Sequence, residues 1–197
     1  TLFHWDLPQA LQQRGGFQNR DMADWFADYA QLIGQKLGDR IKLWVTQNEP
    51  QCYIGFGVGS GIHAPGLRLD LGDILVAAHN SMRAHGKAVQ ALRSTSSGAR
   101  VGYVLAAQLA RPLTESGADL DAARASTFAV RDRAFTNNAW WTDPVVFGRY
   151  PEDGLQLFGR EMPRFPDADW DDIKQPLDFL GLNIYRAERC RAGADGR

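Results

Sequence analysis

Cysteine is almost missing from this chain, which holds only Cys52 and Cys190 among 197 residues. Two thiols build no disulfide framework and read as free side chains of a reducing compartment, the cytoplasm being favoured. Long apolar runs are missing too: no run of eighteen hydrophobic residues occurs, so nothing reads as a membrane span. No sign of charge dominates, the formal net charge being −1. That excludes the strongly basic surface by which proteins hold nucleic acid or an anionic membrane. No secretory leader is legible and the first residue is not Met, which leaves targeting open. Neither an internal repeat nor a low-complexity linker divides the chain, and residues 1–197 are expected to form one domain.

Two chemical signatures are also lacking. His79 and His85 share a predicted helix without the i, i+4 spacing of a helical metal pair, and no metal is expected. Gly55, Gly57, Gly59 and Gly61 alternate but follow no phosphate-loop pattern, so no nucleotide and no other cofactor is expected.

What is present is an α/β pattern, with 44% hydrophobic residues for a core. Strand-like and helix-like stretches alternate, which indicates a parallel sheet with helices packed on it. Leu2 to Trp5 reads as the first strand. A helix from Asp21 to Leu37 follows, with Met22, Trp25, Phe26, Tyr29, Leu32 and Ile33 at inward spacing, Asn19 or Asp21 as cap and Gly38 as stop. Ile41 to Gln47 is the second strand, with Trp44 packing at its middle. Cys52 to Leu69 is glycine-rich and reads as a long loop, with His63 a structural member of it. The next helix runs from Leu71 to Arg93 behind Asp70, turning Ile74, Leu75, Ala78, Met82, Val89 and Leu92 inward. Arg100 to Leu105 is the third strand. Helices over Leu120 to Asn137 and Glu152 to Phe158 follow, with Trp140 and Trp141 anchoring the end of the former. Pro163 to Gln175 reads as a loop, Leu177 to Asn183 as the fourth strand, and Arg186 to Arg197 as a frayed tail.

The most informative stretch is Leu43-Trp44-Val45-Thr46-Gln47-Asn48-Glu49-Pro50-Gln51. Pro50 lacks the N–H that a continuing inner strand needs, so the strand stops there. Glu49 is left at the carboxyl end of a parallel strand, where α/β folds place their chemistry. A strand-end glutamate is more often a solvated charge, so the neighbouring residues must decide.

Asn48-Glu49-Pro50 closely resembles the acid/base motif of glycoside hydrolase family one, the β-glucosidase family. Further blocks resemble that family in the same order. They are Thr1-Leu2-Phe3-His4-Trp5-Asp6-Leu7-Pro8, Gly15-Gly16-Phe17-Gln18-Asn19-Arg20, His63-Ala64-Pro65-Gly66, Gly148-Arg149-Tyr150-Pro151 and Asp178-Phe179-Leu180-Gly181-Leu182-Asn183-Ile184-Tyr185. The resemblance implies a retaining glycosidase in which Glu49 is the acid/base and Asn48 binds the sugar 2-hydroxyl. It implies that His4, Asn183 and Tyr185 are substrate-site residues and leaves Trp5 either stacking near the sugar or filling core. Ala106-Ala107-Gln108 departs from the family, where an Asn usually follows the fifth strand.

The family's nucleophile stands in a Glu-Asn-Gly word that this chain does not contain. A (β/α)8 barrel needs roughly 250 residues, more than the 197 here. The expectation is therefore a partial TIM barrel, a parallel (β/α)4 half-barrel corresponding to strands three to six. It lacks the family's first two and last two strands, and so half of an active site. Its implied ligand is a β-glucoside or related sugar. Its open edges suggest a homo-oligomer. Two readings follow: a β-glucosidase segment inactive by itself, or a non-catalytic half-barrel that self-associates, with a structural or weak sugar-binding role.

Overall fold

The computed structural model describes residues 1–193. Parallel strands lie against helices, an α/β arrangement. The chain begins with an irregular segment in which Phe3 alone makes a parallel bridge, to Gln47. The expected strand over Leu2 to Trp5 is thus reduced to one bridge. Leu2 and Phe3 donate to the Val45 and Thr46 carbonyls, but the chain turns at Trp5, whose φ of +76° cannot continue a strand. Helix α1 (Gln9–Gln13) and a short 3₁₀ turn lead to α2 (Met22–Leu37). Strand β1 (Leu43–Asn48) then gives way to a π-helix over Gln51–Gly59.

That π-helix corrects the expected loop. Pro50 supplies the helical φ of −58° and an N–H-free first position, and six of the nine residues are buried. Gly57 is required there, because a Cβ would collide with the Ala64 carbonyl of the returning chain.

Helix α3 (Leu71–Thr95) is the central pillar, and the six residues expected to face inward are all buried. It packs against α2, where the expected inward stripe holds in part: Met22 and Phe26 are buried, and Trp25 and Ile33 pack against the core. Tyr29 and Leu32 are 42% and 51% exposed, while Met22, Ala23, Phe26, Ala30 and Gly34 are buried. Small residues win the interface because the helices approach closely: a Cβ on Gly34 would overlap Thr95 of α3.

Strand β2 (Arg100–Ala106) pairs in parallel with β1 and with β4 (Phe179–Asn183), giving the order β1-β2-β4. Between the latter two come β3 (Leu109–Pro112), α4 (Gly117–Phe128), α5 (Ala139–Phe147), α6 (Glu152–Phe158) and α7 (Asp169–Ile173). Strand β5 (Ala187–Cys190) pairs in parallel with β3 in a small second sheet. It replaces part of the expected frayed tail, and residues 194–197 lie outside the described residues.

Three further expectations are corrected here. Helix α4 stops at Phe128 instead of Asn137. Asn138 donates to the Gln108 and Thr127 carbonyls and Val130 donates to Asp153, tertiary bonds that outweigh helix continuation. Trp140 and Trp141, both fully buried, begin α5 instead of ending α4. The expected Pro163 to Gln175 loop contains α7, held close to α3 because Gly86 leaves room for the Asp172 carbonyl.

One face of β1 and β2 is covered by α3, with Trp44, Val101, Tyr103 and Leu105 buried. Burial of each such side chain stabilises the fold by about 1.5–3 kcal/mol. The polar residues that α3 buries, among them His79, Ser81, Arg83 and His85, each have a partner. Thr46 Oγ1 meets His85 Nδ1 at 2.6 Å, and Gln47 Nε2 donates to the Ser81 carbonyl at 3.0 Å. His79 sits between the Tyr150 hydroxyl and Asp169, whose carboxylate also pairs with Arg20 and Arg83. Burial depresses the pKa of His79 to about 4, against the opposing pull of Asp169. Neutral His79 thus donates Nε2–H to Asp169 and accepts the Tyr150 proton at Nδ1.

Candidate active site

The carboxyl ends of β1, β2 and β4 form one rim. β1 ends on Asn48, after a register shift between Val45 and Asn48 that re-aims its last residues. Glu49 follows with φ +50°, a conformation few residues other than glycine adopt readily. It is held there by its own N–H donating to the Val104 carbonyl of β2 at 2.8 Å. Non-glycine residues kept in this region cost about 1–3 kcal/mol and concentrate at functional sites.

Glu49 is only 3% exposed. Its Oε1 accepts from Asn183 Nδ2 at 2.7 Å and from the Tyr185 hydroxyl at 2.8 Å. Asn183 spends its other amide hydrogen on Asn48 Oδ1 at 3.1 Å. The bond to Glu49 raises the Tyr185 pKa, since it keeps the phenol proton in place. Asn48 Nδ2 lies 3.4 Å from His4 Nε2, and the Trp5 indole donates to the Asn48 carbonyl at 2.8 Å. Trp5 stacks on His63 with ring centroids 5.3 Å apart.

The structure therefore brings Glu49, Asn48, Asn183, Tyr185, His4 and Trp5 together in one hydrogen-bonded group. Trp5 belongs to the loop after the Phe3 bridge and is half-buried, braced by backbone and His63.

Two contributors escaped the sequence reading. Gln51 ties the π-helix to β2 through reciprocal bonds with Ala106, both at 3.4 Å. Cys52 places its thiol 3.4 Å from Glu49 Oε2. A helical reading of Pro50 onward would have pointed to Cys52, which lies three residues past Glu49, whereas the bonds of Gln51 to Ala106 depend on tertiary proximity. Beside the group lies a cavity of about 350 Å³, lined by Glu49, Cys52, Phe56, Gln108, Tyr185 and Arg186 among others. Glu49 is the single carboxylate on its wall among the described residues. No three potential metal ligands converge among the described residues.

The profile of glycosyl hydrolase family 1 matches residues 1–195. The chain belongs to this family. It is 42% identical to β-glucosidase A of Acetivibrio thermocellus over 191 residues, which are 95% of this chain and 41% of that protein. With β-glucosidase A of Thermotoga maritima it shares 38% identity over 195 residues, 99% of this chain and 42% of the other. The solved β-glucosidase from Thermotoga maritima in complex with deoxynojirimycin superposes with a TM-score of 0.80 at 36% identity. That match covers 98% of this chain and 42% of the other. This family 1 chain thus spans about two fifths of the length of the relatives it matches.

Proposed function

We propose that Glu49 is the acid/base of a retaining β-glucosidase site to which residues 1–197 contribute one half of a (β/α)8 barrel, as a single partial domain. The observation that carries this reading is the Glu49 carboxyl itself. It is buried, strained at its backbone, and gripped by Asn183 at the end of β4 and by Tyr185 just beyond it. Relatives named β-glucosidases supply the substrate class, a β-glucoside.

In this reading protonated Glu49 donates to the glycosidic oxygen as the bond to the anomeric carbon breaks. The resulting carboxylate later takes a proton from the water that releases the sugar. Asn48 offers its amide to the 2-hydroxyl, and His4 and Trp5 border the sugar. The attacking carboxylate comes from outside residues 1–197, because the cavity wall offers only Glu49 among the described residues. The chain alone is therefore inactive.

A second reading rests on a different observation. Leu180, Leu182 and Ile184 at the β4 end are 40%, 52% and 49% exposed. An apolar edge of that kind supports self-association into a homo-oligomer whose role is structural or weakly sugar-binding.

Co-expression separates the two. The chain is paired with the portions of Acetivibrio thermocellus β-glucosidase A that flank the matched region, and aryl β-glucoside hydrolysis is followed. Turnover that is lost in Glu49→Gln supports the catalytic reading. Turnover indifferent to Glu49 overturns it, and a homo-oligomer that never accepts the flanking portions favours the other.

A further inference from the structure

The two oxygens of the Glu49 carboxyl are not equivalent. Oε1 receives two strong donors, Asn183 Nδ2 and the Tyr185 hydroxyl, which occupy both of its lone pairs. Oε2 receives one weak donor, the Cys52 thiol at 3.4 Å, on the wall of the 350 Å³ cavity. A carboxylic acid carries its proton on one oxygen only. Protonating Oε1 would displace one of two strong bonds, whereas protonating Oε2 disturbs only a sulfur contact.

We propose that Oε2 is the oxygen of Glu49 that exchanges the proton, and that Cys52 is the positioning residue that holds it toward the cavity. The inference rests on the reading of Glu49 as acid/base. Cys52 sits on the first turn of the π-helix, and its backbone N–H donates to the Glu49 carbonyl at 2.9 Å. Main chain and side chain thus tie the same two residues. With Oε1 pinned from β4 and Oε2 touched from the π-helix, the plane of the carboxyl is set from opposite sides. During glycoside cleavage the Oε2–H proton passes to the leaving oxygen, which keeps the electron pair of the broken C–O bond, while the carboxylate from outside residues 1–197 bonds to the anomeric carbon and Glu49 becomes a carboxylate.

The same geometry defines the thiol. Burial, then the Glu49 charge and hydrogen bond, push the Cys52 pKa up to about 12, so it stays an S–H donor and not a nucleophile.

The test has two parts. In the chain alone, iodoacetamide alkylation of Cys52 is timed by mass spectrometry with Cys190 as internal reference. Glu49→Gln removes the charge and the acceptor, and Cys52 is expected to react about tenfold faster while Cys190 is unchanged. An unchanged Cys52 rate overturns the proposal. In the co-expressed complex, Cys52→Ala is expected to lower kcat about tenfold on an alkyl β-glucoside, whose leaving group needs the acid, with KM unmoved. Turnover of a nitrophenyl β-glucoside, which needs little acid help, stays within about twofold, and Cys52→Ser, which keeps a donor, restores the alkyl rate. Equal losses on both substrates, or no rescue by Ser, reduce Cys52 to packing and overturn the proposal. If the complex shows no turnover, the alkylation comparison decides by itself. Activity that ignores Glu49 would instead refute the parent reading.

Discussion

β1 and β2 on one side, and β4 on the other, belong to one sheet but have different surroundings. Trp44, Val101, Tyr103 and Leu105 lie buried, under the long helix α3. Leu180 and Leu182 of β4 are as apolar, yet 40% and 52% exposed, with no described helix over them. The difference teaches that apolar alternation in a strand states a demand for cover, which only a neighbouring element can meet. The covered side also carries the buried ionic group around Asp169. The bare side carries Asn183 and reaches Tyr185, the two residues that hold Glu49. Fold stability is thus concentrated on one side of the molecule, and half of the candidate site hangs from the other.

The sharpest challenge to this contrast is Asp169→Ala. The substitution leaves Arg20, Arg83 and His79 without their common acceptor, and a loss of about 3–5 kcal/mol is expected in urea unfolding followed by tryptophan fluorescence. Next comes Leu75→Ala in α3, a fully buried side chain whose truncation is expected to cost about 2–5 kcal/mol in the same assay.

Acid tests the covered side without mutation. Burial lowers His79 to about 4 and His85 to about 3 from an ordinary 6.5, so the unfolded chain takes up protons that the folded chain refuses. Stability is therefore full above about pH 6.5 and falls as pH drops toward 4. The expected slope is about 1.4 kcal/mol per pH unit for each histidine, read from unfolding curves across that window. A flat profile between pH 6.5 and 4 would show that the histidines are not buried as neutral groups.

On the bare side Leu182→Ala is expected to shift stability by no more than about 0.5 kcal/mol. Parity between Leu182→Ala and Leu75→Ala would erase the contrast altogether.

How much of this was legible in the residues depends on how local the cause was. β1, β2, α3 and α6 announce themselves through period and punctuation, and their observed bounds fall close to the expected ones. Glu49 and its companions were legible because Asn48, Glu49 and Pro50 lie together, while His4, Asn183 and Tyr185 sit in equally distinctive words. The π-helix was not legible, since glycines at 55, 57 and 59 signal a loop when they in fact permit close packing, as Gly57 does against Ala64. α5 was hidden by Pro144 inside it, which reads as a breaker although the helix tolerates it in its middle. The end of α4 and the pairing of β5 with β3 depend on Asn138 and on residues far apart in the chain, a cause no window of sequence contains. Tyr185 was expected only as a substrate-site residue, and its bond to Glu49 is one that three-dimensional proximity alone supplies.

The proposal to be tested is that Glu49 supplies one of the two carboxylates of a retaining glycosidase site, the other coming from outside residues 1–197. Its most direct test is hydrolysis of a nitrophenyl β-glucoside by the purified chain alone, prepared from a host lacking β-glucosidases and compared with Glu49→Gln. The account predicts background rates for both proteins, because acid assistance by itself contributes only on the order of 10²–10⁴-fold and the covalent route is absent. Robust turnover by the chain that vanishes in Glu49→Gln would contradict it.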